Sequence, residues 1–171
     1  MIELLDGPRL DVAIAHLARL WAEPDDVRSR PHSSDVPFDP VARAERYRNG
    51  WAKRWDEPGW TRTWGLMIDG AMWGHCDLRG GQLLSELHRA TVGIGIQNAK
   101  RGAGHGRALM ESVIEWGRDS GMAWLDLGVF SNNTRAIALY RKLGFTEIGV
   151  TRDRFRVDGE SIDDISMALA L

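Results

Sequence analysis

The stretch Ile96-Gln97-Asn98-Ala99-Lys100-Arg101-Gly102-Ala103-Gly104-His105-Gly106-Arg107 constrains this chain most, because an apolar alternating run passes through a glycine-rich turn into a helical pattern. A helix that starts at such a turn leaves its first amides without internal partners, and its dipole adds positive potential at the same end. A pyrophosphate can accept those donors. Glycines at 102, 104 and 106 keep Cβ atoms out of the approach, while Lys100, Arg101 and Arg107 add charge nearby. Taken alone, a solvated strand-to-helix turn explains these residues equally well. A Walker loop does not fit, since Gly106-Arg107-Ala108 offers neither the lysine nor the hydroxyl that binds magnesium. A dinucleotide-binding unit fits poorly: Asp126 lies mid-strand at about the right distance, but the strands before the turn read as antiparallel.

Those strands are Thr61 to Ile68 and Ala71 to Leu78, joined at Asp69-Gly70, the signal of a tight hairpin turn. A third runs from Glu86 to about Ile96 and ends Val92-Gly93-Ile94-Gly95-Ile96. Glycine weakens a strand, and a ligand backbone lying against it gives it a reason to be there. Upstream, Leu10, Ile14, Leu17, Ala18 and Trp21 form one helical stripe, and Asp39-Pro40 opens a second helix to about Trp55. Pro24, Pro31, Pro37 and the run Arg30-Pro31-His32-Ser33-Ser34-Asp35 break helix between them. After the glycine turn, Ala108, Leu109, Val113, Ile114 and Trp116 mark a helix up to Gly117 or Gly121. Trp124 to Phe130 reads as a strand, and Ser131-Asn132-Asn133-Thr134 opens a helix that stops at Gly144. The tail from Phe145 reads as a hairpin turning at Asp158-Gly159, with its last strand from Ile165 to Leu171. No repeat or linker interrupts the chain, so residues 1–171 read as a single domain of mixed α/β or α+β class around a sheet.

A net charge of −2 gives no general attraction to phosphate backbones or anionic lipid, so neither nucleic acid nor membrane is an expected partner. Cys76 is the only cysteine, which excludes an intramolecular disulfide and fits a reducing cytoplasm. The first 21 residues lack the basic start and apolar run of a signal peptide. Five of the eight tryptophans fall between Trp51 and Trp73, where core packing is favoured over a pocket lining. No His/Cys/Asp group has metal-ligand spacing, so no catalytic metal is expected.

Two blocks together resemble the GNAT superfamily of acyl-CoA-dependent N-acyltransferases. Arg101-Gly102-Ala103-Gly104-His105-Gly106 looks like its Arg/Gln-x-x-Gly-x-Gly/Ala signature, and Asn133 through Leu139-Tyr140 to Gly144-Phe145 looks like its Asn...Ala...Leu-Tyr-x-x-x-Gly-Phe block. The resemblance implies a mostly antiparallel central sheet flanked by helices, with strands splayed at the cofactor site. It divides the chain into variable acceptor-side helices over 10–56, an acetyl-CoA-binding core over 86–145 and a C-terminal hairpin over 146–171. It also implies acetyl-CoA as cofactor. The amides of Gly102, Ala103, Gly104, His105, Gly106 and Arg107 would hold the pyrophosphate. Ile94, Gly95 and Ile96 would line the pantetheine arm, with Asn133 and Ala136 at its pocket and Tyr140 aimed at the sulfur. Acetyl transfer to an amine then needs an oxyanion donor, for which the Ile96 amide is the candidate, and an acid for the thiolate, for which Tyr140 is.

The base is less defined. Glu86 and His88 alternate onto the face of the strand that leads to Ile94 and Ile96, and Glu86 is the first candidate; His75 and Asp77 compete from the neighbouring strand. His105 reads as a loop residue and Cys76 as a packed thiol. The acceptor expected first is a primary amine of a small molecule or amino acid, a protein N-terminus being the alternative and a catalytically silent CoA-binding sensor the third reading. Asp25, Asp26, Asp35 and Glu45 are either receivers of a cationic amine or solvated surface. A homodimer is left open.

Overall fold

The computed structural model describes residues 1–24 and 36–171. In chain order the elements are β1 (Ile2–Leu4), α1 (Leu10–Ala22), α2 (Pro40–Ala52), β2 (Thr61–Ile68), β3 (Ala71–Gly80), β4 (Arg89–Ile96), α3 (His105–Asp119), β5 (Trp124–Phe130), α4 (Thr134–Lys142), β6 (Thr146–Val157) and β7 (Glu160–Ala170). They make a mixed seven-stranded sheet, in the order β1-β2-β3-β4-β5-β7-β6, flanked by the four helices. The described residues divide into two compact units, one of Met1–Glu23, Phe38–Leu125 and Leu171, the other built on Asp126–Ala170.

In the first unit β1, β2, β3 and β4 pair antiparallel in sequence. The β2–β3 turn is the predicted one: Asp69 and Gly70 both take positive φ, 50° and 76°, the twist that two-residue hairpins need. Alternation along β3 then sets two faces. Gly74, Cys76 and Leu78 meet α3, whose Met110 Sδ lies 4.0 Å from Cys76 Sγ. Trp60 and Trp64 pack on Trp116 of α3 at 5.6 and 5.5 Å between ring centroids, so the core takes these two of the clustered tryptophans. Gly80 is built around one of them: a Cβ there would overlap the Trp60 indole at Nε1.

The opposite face is covered by α1 and α2. Asp39 caps α2 as its sequence predicts, its carboxylate accepting from the Val41 and Ala42 amides at 3.0 Å each. Tyr47 and Trp51 of α2 stack at 5.0 Å, and both reach the sheet with polar atoms: Trp51 Nε1 donates to Thr63 Oγ1 (3.0 Å) and the Tyr47 hydroxyl to Asp77 Oδ2 (3.0 Å).

In the second unit β6 and β7 pair antiparallel across Asp158 and Gly159, again both at positive φ. Phe130, Phe155, Val157 and Ile162 form its apolar cluster, and the rings of Phe130 and Phe155 lie 5.0 Å apart.

Three boundaries differ from the sequence reading. The three-residue strand β1 is too short to show alternation. The hairpin's second strand starts at Glu160 rather than Ile165. Most consequentially, β4 starts at Arg89 and Glu86 is not on it. Leu84–Glu86 form a 3-10 turn, because the Glu86 carboxylate accepts from the amides of Gln82 (2.9 Å) and Leu83 (3.1 Å), and such local bonds compete with a strand ladder.

Candidate functional site

The glycine turn has the geometry its sequence predicts. Gly102 and Gly104 take φ of +89° and +84°, and Gly104 caps α3 from the left-handed region without any side-chain cap. The first helix bond runs from the Ala108 amide to the Gly104 carbonyl at 3.1 Å, which leaves the amides of His105, Gly106 and Arg107 unpartnered by the helix. Gly102, Ala103 and Gly104 are exposed, and a Cβ at Gly104 would meet nothing within 4 Å. This donor set fits a pyrophosphate.

The charges predicted beside it are engaged elsewhere. Arg101 turns back so that its Nε donates to the Ile96 carbonyl at 2.9 Å, Arg107 pairs with Glu111 at 2.7 Å, and Lys100 lies over the Trp73 ring at 4.8 Å. The cradle is therefore chiefly main chain. His105 is half-buried at the first helical position.

Ile96 itself is oriented by register. Gly74 faces Ile96, and the next pair out is bonded through the Gln97 amide to the Trp73 carbonyl at 3.0 Å. Because bonded and non-bonded pairs alternate in an antiparallel ladder, the Ile96 N–H is turned away from β3. Ile94, two residues back opposite Cys76, shares that orientation, and Gly95 between them faces His75.

The strand glycines have a different reason from the one predicted. A Cβ at Gly95 would come within 2.6 Å of both His75 Cε1 and Leu20 Cδ2, so protein side chains fill that space and no ligand is needed to explain it.

The four base candidates separate. Glu86 and His88 lie beyond the end of β4 opposite Ile96, about 20 Å away along the strand, and both are exposed. The strand geometry that put Glu86 first is absent. His75 and Asp77 instead face Gly95 and Gly93. Asp77 is buried and accepts from Thr63 Oγ1 at 2.7 Å as well as from Tyr47, whose own pKa is raised by burial and by this carboxylate. His75 Nδ1 lies 3.0 Å from Nε2 of His16, a buried partner on α1 that sequence reasoning missed. Only the amphipathic stripe of α1 could have hinted at it. Of the acidic residues offered to a cationic amine, Glu45 is exposed on α2, and Asp25, Asp26 and Asp35 lie outside the described residues.

Burial, then the neighbouring His75, lowers the His16 pKa to about 3, and burial lowers that of His75 as well. The unfolded chain therefore binds more protons than the folded one below the ordinary histidine value of 6.5, so stability falls as pH drops from there towards 3. Thermal midpoints are expected to hold above about pH 7 and to decline towards pH 4, less steeply in His16→Gln. Scanning calorimetry across that range checks it; parallel profiles for the two proteins would contradict it.

In the second unit the Asn133 side chain caps α4, accepting from the Ala136 amide at 3.2 Å. Tyr140 is buried at 7% exposure, and its ring lies 6.0 Å from that of Phe145.

Residues 20–145 match the model of the Acetyltransferase (GNAT) family. The chain belongs to this family. Among curated proteins, this GNAT chain is 38% identical over 66 residues to the N-alpha-acetyltransferase RimI of Mycobacterium tuberculosis, covering 39% of the chain and 40% of that protein. It is 41% identical over 68 residues to the ribosomal protein bS18-alanine N-acetyltransferase of Escherichia coli, covering 40% and 46%. The chain thus spans less than half the length of the curated relatives it matches. A solved GNAT acetyltransferase from Streptococcus pneumoniae superposes over 100% of both chains with a TM-score of 0.84 at 23% identity, a likeness of fold. Among the described residues no group of three His, Cys, Asp or Glu is placed to hold a metal ion.

Proposed function

We propose that this GNAT enzyme acetylates an α-amine at a polypeptide N-terminus. The observation that carries the acceptor class is the likeness to two relatives, one named for N-alpha-acetylation and the other for N-acetylation of an alanine of ribosomal protein bS18. Chemistry supports it. An α-amine titrates near 7.7–8.0, so about a tenth is already neutral at pH 7, whereas a lysine amine near 10.4 is neutral in less than about one part in a thousand. The α-amine is thus the acceptor least dependent on a strong base, which suits a chain whose base candidates on β3 are a His75 kept neutral by burial and a hydrogen-bonded Asp77.

In this reading the amides of residues 102–107 grip the pyrophosphate, with Arg101 in the same loop. Ile94, Gly95 and Ile96 align the pantetheine arm, and Asn133 and Ala136 shape its pocket. The neutral amine attacks the thioester carbonyl carbon and the carbon–nitrogen bond forms. The Ile96 N–H, turned away from β3, stabilises the oxyanion. The carbon–sulfur bond then breaks, the thiolate takes the Tyr140 proton and leaves as CoA, and the extra proton shed by the former amine returns through water to restore the Tyr140 hydroxyl.

The test is thiol release from acetyl-CoA against peptides with free or blocked N-termini, free amino acids and simple amines. Peptides with free N-termini are expected to give the highest kcat/KM. Preference for simple amines or free amino acids, with peptides inert, would replace this acceptor class by the small-molecule one.

A further inference from the structure

Two part-buried arginines on the α1/α2 side of β3 have no anionic partner among the described residues. Arg43, Tyr47 and Gly50 share one face of α2 by their spacing of four and three. That face rests on the sheet: a Cβ at Gly50 would come 2.6 Å from Thr61 Oγ1, and Tyr47 reaches Asp77. Arg79 follows Asp77 by two residues and so shares its face of β3. Its guanidinium lies over Gly93 of β4: a Cβ there would stand 3.0 Å from Arg79 Nη2 and 3.6 Å from Cζ, with no other contact within 4 Å. The missing Cβ at Gly93 thus makes room for the guanidinium itself.

The charges nearby do not balance. Asp77 is the one buried carboxylate among the described residues, and it is held by two hydroxyls. Neither Arg43 nor Arg79 has a hydrogen bond or ion pair among the described residues. Both nevertheless act electrostatically on Tyr47 and on His75, which places them around one buried cluster. His16 and His75 are neutral, so among the described residues two guanidiniums face one buried carboxylate and a positive charge is left over. A partly desolvated guanidinium is costly without a partner, and its planar fork of donors matches a carboxylate. Gly93 precedes Ile96 by three residues, about 10 Å along β4. An extended peptide covers that distance in about three residues.

We propose that Arg79 and Arg43 form an anion subsite for the acceptor, receiving a carboxylate carried by the molecule whose amine is acetylated. This deepens the acetyl-transfer reading and rests on it. The carboxylate has two possible sources of the same chemistry, an acidic side chain in the first residues of a peptide or the α-carboxylate of a free amino acid.

The experiment compares kcat/KM for peptides carrying Glu or the isosteric Gln at the second and third positions, and for amino acids against their methylamides. It uses the wild type, Arg79→Gln and Arg43→Gln. The wild type is expected to favour the carboxylate member of one set by about tenfold or more, the range of a charge-assisted bond. Arg79→Gln is expected to erase that preference through KM, leaving the neutral isostere and the acetyl-CoA Kd unchanged. Arg43→Gln tests the same subsite from α2 should the β3 variant not fold. Preference within peptides names the side chain as the source, and preference within amino acids the α-carboxylate. Equal rates for both members of each set, or equal losses for charged and neutral acceptors in both variants, would overturn the subsite while acetyl transfer stands. Absence of CoA release with every acceptor would overturn both.

Discussion

Tyr140→Phe is expected to lower kcat by about 10²- to 10³-fold while acetyl-CoA binds as before, the loss typical of removing a general acid. Phenylalanine keeps the ring that packs 6.0 Å from Phe145, so the fold of α4 should survive and the change isolates the hydroxyl. A phenol near pKa 10 is matched to a departing thiol near 8.5, so protonation in the transition state carries little penalty. The hydroxyl does nothing for the pyrophosphate, and calorimetric titration with acetyl-CoA should give an unchanged Kd. Unaltered turnover would remove Tyr140 from the chemistry. A weakened Kd with unaltered single-turnover rate would recast it as a binding residue.

Gly104→Val is expected to act on the other half of the reaction and to abolish measurable acetyl-CoA binding. Gly104 holds φ at +84°, and a β-branched residue is an outlier there, at a cost of about 1–2 kcal/mol. The backbone can relax only by leaving that conformation, which swings away the amides of His105, Gly106 and Arg107 that α3 leaves unpartnered. Since Arg101, Arg107 and Lys100 are engaged with Ile96, Glu111 and Trp73, no nearby cation substitutes for those donors. Calorimetry should show at least a hundredfold loss of affinity with only a modest fall in thermal midpoint, because the turn is exposed. Retained micromolar binding would mean that the pyrophosphate is held elsewhere.

The sequence carried those features that are local. Asp69-Gly70 and Asp158-Gly159 announce their hairpins because positive φ is demanded of two consecutive residues, and Asp39-Pro40 announces α2 because cap and first position are adjacent. The glycine turn was legible for the same reason. What escaped involves partners distant in the chain. Alternation places Glu86 on a strand because it cannot reveal a carboxylate bound to the amides of Gln82 and Leu83. Gly95 looked like room for a ligand because nothing in the letters says that His75 and Leu20 occupy the space. The His16–His75 contact joins residues 59 apart, and the influence of both Arg43 and Arg79 on Tyr47 depends on how α2 lies on β3. Alternation did hold one clue: His75, Asp77 and Arg79 fall on a single face, an unusual concentration of polar groups for a central strand.

Gly80 and Trp60 share one volume, since any Cβ at 80 would intrude on the indole. The two positions therefore behave as a single unit of variation. Enlarging 80 alone would force the ring out of its place beside Trp116, and trimming 60 alone would leave a void of indole size. Only a paired exchange conserves the packing, so tolerance at either site depends on what stands at the other.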